Sequence, residues 1–184
     1  DKNNNQSLLR TEYTISAVVL HCTNEGSVEA KKEAVGGIVG GMDLGFVSGC
    51  ESYGDVEGTN KVGGIAGISS AKLLSNWAKC AITGKKYVGG IVGQGTDGLL
   101  TGNSCVAKEN RAIVDIRADS GKKNDDNSGI ASGDTDTNTQ YWGAISGGQD
   151  GEFVGNLFVS DALAGIDRVS RAGQAEPTTF EAIR

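Results

Sequence analysis

The chain has 184 residues, 29 of them glycine and one proline, with a net charge of −6 and a pI near 4.8. That acidity argues against a nucleic-acid footprint or an anionic membrane partner, and no apolar run approaches the ~18 residues of a membrane-spanning helix. Glycine without a three-residue period excludes collagen, interior glycines at about 1 kcal/mol each argue against a helix bundle, and 41 Leu, Ile, Val and Phe leave little for a broad core.

In chain order, a polar lead gives way to an alternating stretch over residues 13–20, Tyr-Thr-Ile-Ser-Ala-Val-Val-Leu, which reads as a first strand. One phrase then recurs: Val35-Gly36-Gly37-Ile38-Val39-Gly40, Val62-Gly63-Gly64-Ile65-Ala66-Gly67 and Val88-Gly89-Gly90-Ile91-Val92-Gly93. A degenerate fourth copy is Ser128-Gly129-Ile130-Ala131-Ser132-Gly133, so its unit carries an insertion, placed near residues 107–127. Between the phrases alternating pieces such as Leu74-Ser75-Asn76-Trp77-Ala78-Lys79-Cys80 and Gly54-Asp55-Val56-Glu57-Gly58 are separated by turn signals. A repeat of this length, with about three short strands per unit, matches one coil of a parallel β-solenoid (β-helix). About 4–6 coils at ~4.8 Å spacing make a rod roughly 20–30 Å long. The Ile and Val of each phrase should point inward and stack in columns. The flanking glycines should turn corners at positive φ and allow close approach. Residues 1–140 are thus read as the repeats, and 141–184 as a last coil with a non-repeat cap, in which Trp142, Phe153 and Phe158 plug the end of the core.

Val-Gly-Gly-Ile-Val-Gly, followed by a loop, Asn/Gly-x-Cys and Gly-x-Val-x-Gly, resembles the GLUG-motif repeat over about residues 15–133. That family occurs in large bacterial surface and adhesin-like proteins, and beside the catalytic domains of some IgA-cleaving zinc peptidases. The tail from Asn156-Leu157-Phe158-Val159 to Ala175-Glu176-Pro177 is similar to segments that close such arrays. The resemblance implies a β-solenoid in an extracellular, cell-associated setting and no defined ligand. The His-Glu-x-x-His of those peptidases is absent, so their catalysis does not carry over.

Cys22, Cys50, Cys80 and Cys105 fall one per unit and should form an inward ladder of reduced, buried thiols. Adjacent rungs at ~4.8 Å also lie within reach of a disulfide. A zinc site lacks Cys-x-x-Cys and has a single histidine, His21, which should face outward if Cys22 faces inward. Asp43, Glu51, Asp55 and Glu57 are the carboxylates a glycan-cleaving β-helix would use, but they stand beside no aromatic platform. Asp134-Thr135-Asp136-Thr137-Asn138 opens like a calcium loop without its glycine or closing glutamate, and Gly147-Gly148-Gln149-Asp150-Gly151 half-matches a calcium nonapeptide once. Both read as acidic surface loops.

The expectation is therefore a non-catalytic structural or adhesive module without cofactor or metal, cut from a longer cell-surface or secreted bacterial protein. It would act as a stiff spacer or a binding face for a host protein, mucin or glycan, with neither nucleic-acid binding nor membrane insertion. The alternatives are a carbohydrate-active β-helix enzyme and an accessory module of a secreted IgA-type peptidase.

Overall fold

Strands of two to four residues, joined within the regular coils by corners of one to three, wind the chain into stacked coils. The computed structural model describes residues 17–98, 103–118, 142–148, 150–159 and 174–183. Coil 1 holds β1 (Ala17–Leu20), β2 (Thr23–Asn24), β3 (Val28–Glu29), β4 (Glu33–Gly36) and β5 (Val39–Met42). Coil 2 repeats the order as β6 (Gly45–Ser48), β7 (Glu51–Ser52), β8 (Val56–Glu57), β9 (Asn60–Gly63) and β10 (Ala66–Ser69). Coil 3 gives β11 (Lys72–Leu74), β12 (Trp77–Ala78), β13 (Ala81–Gly84), β14 (Lys86–Gly89) and β15 (Val92–Gly95). Coil 4 has β16 (Val106–Lys108), β17 (Arg111–Ala112), β18 (Asp115–Ala118) and β19 (Trp142–Gly143); coil 5 has β20 (Glu152–Val154) and β21 (Leu157–Val159), and β22 (Glu176–Thr178) is laid on top.

Equivalent strands pair in parallel and in register, making five sheets. Sheet I is β1-β6-β11-β16-β20, sheet II β2-β7-β12-β17-β21-β22, sheet III β3-β8-β13-β18, sheet IV β4-β9-β14-β19 and sheet V β5-β10-β15. This is an all-β parallel solenoid, and its sixfold stack in sheet II spans about 24 Å at the usual strand spacing. Among the described residues there is no helix, hence none long and apolar enough to cross a membrane.

Inward columns build the core. Val19, Val47, Leu73, Ala107 and Phe153 stack in sheet I. Val28, Val56, Ile82 and Ile116 stack in sheet III, and Val35, Val62, Val88 and Trp142 in sheet IV. Ile38, Ile65, Ile91 and Ile145 form a further column, tied by N–H···O bonds of 2.9–3.0 Å from each residue to the carbonyl of the next. Nearly all of these side chains are buried, and together they form one cluster. Each coil needs only four or five of them, which is how so few apolar residues suffice.

Several expectations are corrected. A coil contains five strands rather than three, because two-residue strands are too short to display a period. Leu74–Cys80 alternates yet is not one strand; Ser75 at φ 52° breaks it into β11 and β12 at a corner. The fourth copy of the phrase is Trp142-Gly143-Ala144-Ile145-Ser146-Gly147, since Trp142 pairs with Val88, Ile91 bonds Ile145 and Ser146 bridges Val92. Residues 128–133 lie outside the described residues. The insertion is also displaced: residues 106–118 continue the regular wall as β16–β18, and the extra length of this coil falls between Ala118 and Trp142. A second excursion, between β15 and β16, begins and ends on an antiparallel bridge between Asp97 and Ser104. Trp142 through Ser146 thus complete coil 4.

The phrase's glycines are not in the left-handed region; the positive-φ glycines among the described residues are Gly45, Gly49, Gly151 and Gly155. They serve close approach instead. The corner between sheets IV and V reaches across the coil onto sheet II, where a Cβ on Gly64 would stand 2.6 Å from Ala78 Cβ and one on Gly90 3.0 Å from Ala112 Cβ. Small residues face those corners: Ser52, Ala78 and Ala112 occupy one column, and the next position up is Phe158.

The C-terminal end is closed by a side chain imitating a strand. Gln174 accepts the Ser146 N–H at 3.0 Å and donates to the Gly148 carbonyl at 2.8 Å. Ile183, directly after the turn that follows β22, is buried, and its N–H donates to the Thr179 carbonyl at 3.2 Å. Trp142 ends the sheet IV column, its indole N–H donating to the Lys85 carbonyl at 3.3 Å. Trp142 and Phe158 are buried and Phe153 is half-buried against the same core, as expected of plugs.

Candidate functional surface

The corner between sheets I and II organises the surface on which the exposed apolar groups gather. His21, Gly49, Ser75, Glu109 and Gly155 follow β1, β6, β11, β16 and β20, and all five have φ between 51° and 63°. Each non-glycine residue there costs about 1–2 kcal/mol of backbone strain, so the stack must hold it. The next residue in each coil does so. Cys22, Cys50, Asn76, Asn110 and Asn156 point inward as one ladder.

Asn76 Nδ2 donates to Asn110 Oδ1 at 3.0 Å and to the Val47 carbonyl at 3.1 Å; Asn110 Nδ2 donates to Asn156 Oδ1 at 3.0 Å and to the Leu73 carbonyl at 2.9 Å. Each amide oxygen also accepts a backbone N–H from the coil below: Cys50 to Asn76, Asn76 to Asn110, Asn110 to Asn156, all at 3.0 Å. Cys50 imitates the pattern with sulfur, accepting the Cys22 N–H at 3.4 Å and lying 3.8 Å from the Val19 carbonyl. Burial makes such a ladder specific, because an unmet partner would cost a full desolvation penalty.

The cysteines are thus not one ladder. Cys22 and Cys50 share the corner column. Cys80 precedes β13 at the corner between sheets II and III, and Cys105 precedes β16, where it packs against Gly95 and Gly151. Spacing misled because asparagine takes the cysteine position from coil 3 onward; its signal was Ser-Asn, Glu-Asn and Gly-Asn directly after an apolar strand. All four thiols are unpaired, three are buried and Cys22 is exposed.

Burial pushes the Cys80 thiol up to about 12, with Asp55 adding to the shift, and pushes Cys105 up to about 12 as well. In the unfolded chain a thiol ionises near pH ~8.5. A raised folded value means the stabilisation is full below that pH and declines from about 8.5 toward 12. The slope is about 1.4 kcal/mol per pH unit for each thiol. Urea midpoints measured between pH 8 and 10 should fall steeply and flatten in the Cys80→Ala/Cys105→Ala double variant. An equal slope in both proteins would refute the assignment.

Outward, sheet II carries Thr23, Glu51, Trp77, Arg111, Leu157 and Glu176 in register. The Arg111 guanidinium lies 4.9 Å from the Trp77 ring centroid, and Lys79 Nζ lies 5.3 Å from that of Phe180. The exposed Tyr53 hydroxyl donates to the Glu51 carboxylate, which raises its pKa. Sheet I presents Val18, Phe46, Lys72, Val106 and Glu152 in one outward column and Leu20, Ser48, Leu74, Lys108 and Val154 in the other. Of the exposed large apolar residues of the described chain, Val18 and Leu20 lie on the first strand of sheet I and Val154 on its last, Tyr53 follows β7 at the corner between sheets II and III, and Phe180 lies on the turn after β22.

The carboxylates do not converge on this surface. Glu51 is on sheet II, Asp55 and Glu57 are at sheet III, and Asp43 is at the corner between sheets V and I. Asp55 instead accepts the Ala81 N–H at 3.1 Å. Among the described residues the opposite wall carries an ion pair, Lys61 Nζ to Glu33 Oε2 at 2.9 Å; hydrogen bonds from Lys61 and then Asn60 hold the Glu33 carboxyl below its usual range. His21 is exposed, its ring against Gly49. Among the described residues no three His, Cys, Asp or Glu side chains are grouped to hold a metal ion. Residues 134–138 lie outside the described residues, as do 119–127 and Gln149. No family model, no curated protein and no solved structure matches this chain.

Proposed function

We propose that the solenoid is a structural and adhesive module of a larger bacterial cell-surface or secreted protein, its stack a stiff spacer and sheets I and II its binding face. One observation carries the reading: four of the five exposed large apolar side chains of the described chain, Val18, Leu20, Val154 and Phe180, lie on sheet I or the turn after β22, with Lys72, Lys79, Lys108 and Arg111 on the strands and corner of the same side. Exposed large apolar side chains interspersed with cationic ones are a common feature of contact surfaces. The resemblance to the GLUG repeat supports the extracellular setting. The partner is a host protein, a mucin or a glycan.

Glycan-array and mucin pull-down assays test the proposal, supplemented with immobilised host matrix proteins. Capture of at least one of these by the protein is expected, abolished by Trp77→Ala/Tyr53→Ala and retained by Glu29→Ala/Glu57→Ala on sheet III. Absence of capture on every surface, or equal loss in both variants, would overturn it. Release of new reducing ends from an arrayed polysaccharide would favour the enzyme reading instead.

A further inference from the structure

We propose that Cys22 and Cys50 are a redox-active pair, in which the exposed Cys22 thiol reacts with small-molecule disulfides and the buried Cys50 thiol resolves the adduct, stapling coil 1 to coil 2. The two residues occupy adjacent rungs of one ladder. The Glu51 N–H donates to the Cys22 carbonyl at 2.8 Å, and the Cys22 N–H meets Cys50 Sγ at 3.4 Å. Parallel in-register neighbours have Cα atoms ~4.8 Å apart, within the range that a disulfide spans. Higher in the same column, side-chain atoms from successive coils meet at 3.0 Å in both asparagine pairs. The column therefore directs consecutive side chains at one another.

Access separates the two roles. Cys22 stands in the first described coil and is exposed, its Sγ bonded to the Leu20 carbonyl at 3.4 Å, whereas Cys50 is fully buried. Burial first, and then the neighbouring Cys22 thiol, raise the Cys50 pKa, so Cys50 is a poor partner for a reagent arriving from solvent. A mixed disulfide on Cys22 is delivered to it by the ladder. In the first step the Cys22 thiolate attacks a disulfide RSSR, forming Cys22–S–SR and releasing RS⁻. In the second, the Cys50 thiolate attacks the Cys22 sulfur, forming Cys22–S–S–Cys50 and releasing a second RS⁻. Both thiol protons pass through water to the two RS⁻ groups. Two thiols are oxidised, and one RSSR is reduced to two RSH.

Cys80 and Cys105 are internal controls, since each is buried in a column that contains no other cysteine. The test is oxidation of the intact protein with oxidised glutathione, followed by non-reducing tryptic digestion and mass spectrometry. The wild type should yield the peptide 11–31 joined to 33–61 with loss of two hydrogens, while Cys80 and Cys105 stay alkylatable after unfolding. Cys50→Ser, a near-isosteric change, should retain a stable glutathione adduct on Cys22, and Cys22→Ser should give neither adduct nor link. Hydrogen exchange over residues 17–42 should slow about tenfold or more on oxidation. A persistent glutathione adduct in the wild type, a link to Cys80 or Cys105, or Cys22 joined only between two molecules would each overturn the proposal.

Discussion

Gly64→Val should abolish folding, whereas Gly26→Ala should leave the solenoid intact and slightly more stable. A Cβ on Gly64 would stand 2.6 Å from Ala78 Cβ and nearer still to the Gly90 carbonyl oxygen. Neither obstacle is the movable end of a side chain. One is backbone of the next coil and the other is already the smallest side chain. Overpacking ordinarily costs about 1–3 kcal/mol and more where the surroundings cannot yield. Here yielding means separating coils 2 and 3 along their full ladder, which a domain stabilised by about 5–15 kcal/mol does not survive. Gly26 is also in the repeat, and its Cβ would meet only Asn24 Oδ1 at 3.7 Å with no left-handed φ to forbid it. Removing its freedom in the unfolded chain should raise stability by about 0.4–1 kcal/mol. Urea titration followed by far-ultraviolet circular dichroism separates the two. A folded Gly64→Val protein would refute the interior placement of the corner between sheets IV and V.

The contrast between those glycines marks how far the sequence was legible. Three near-identical phrases disclosed the repeat, the parallel stack and the inward columns of Val35, Val62 and Val88 and of Ile38, Ile65 and Ile91, because every coil needs the same residue at the same place. The fourth phrase was hidden by changes that the end of a column tolerates: Trp142 replaces valine where no described coil stands above it, and Ala144 and Ser146 replace glycine and valine. Corners were misassigned because the left-handed residues His21, Ser75 and Glu109 are not glycines, and strain supported by a ladder leaves no compositional mark. Exposure was harder to read than burial. Nothing in the alternation of Val18, Leu20 and Leu74 distinguishes an outward apolar face from an inward one, since both sides of sheet I carry Val and Leu. The asparagines were passed over for a related reason. Aligning on cysteine joined three different columns and divided the one that matters.

Asn110 is where that column is most exacting, and its replacement by alanine should cost about 4 kcal/mol. Its oxygen serves the backbone N–H and the side-chain amide of Asn76, and its nitrogen serves Leu73 O and Asn156 Oδ1. An orphaned buried donor or acceptor costs about 1–3 kcal/mol, and this change removes a side-chain partner from four groups, of which Asn76 Nδ2 keeps Val47 O and Asn156 Oδ1 keeps the Asn110 N–H. Asn110→Asp discriminates hydrogen bonding from packing. A carboxylate can accept from Asn76 but cannot donate to the two oxygens it faces, whereas its protonated form donates to one of them. The folded pKa of that aspartate is therefore raised above the ordinary ~3.9. Its stability relative to wild type is best below that value and is lost as pH rises through the folded pKa. The urea midpoint of Asn110→Asp should accordingly fall toward that of Asn110→Ala between pH 4 and 7. Asn110→Cys should lose least, since Cys50 already accepts the N–H of the coil below with its sulfur and lies 3.5 and 3.8 Å from two backbone carbonyls. If alanine, aspartate and cysteine were equally harmful at every pH, volume rather than the amide ladder would hold the corner between sheets I and II.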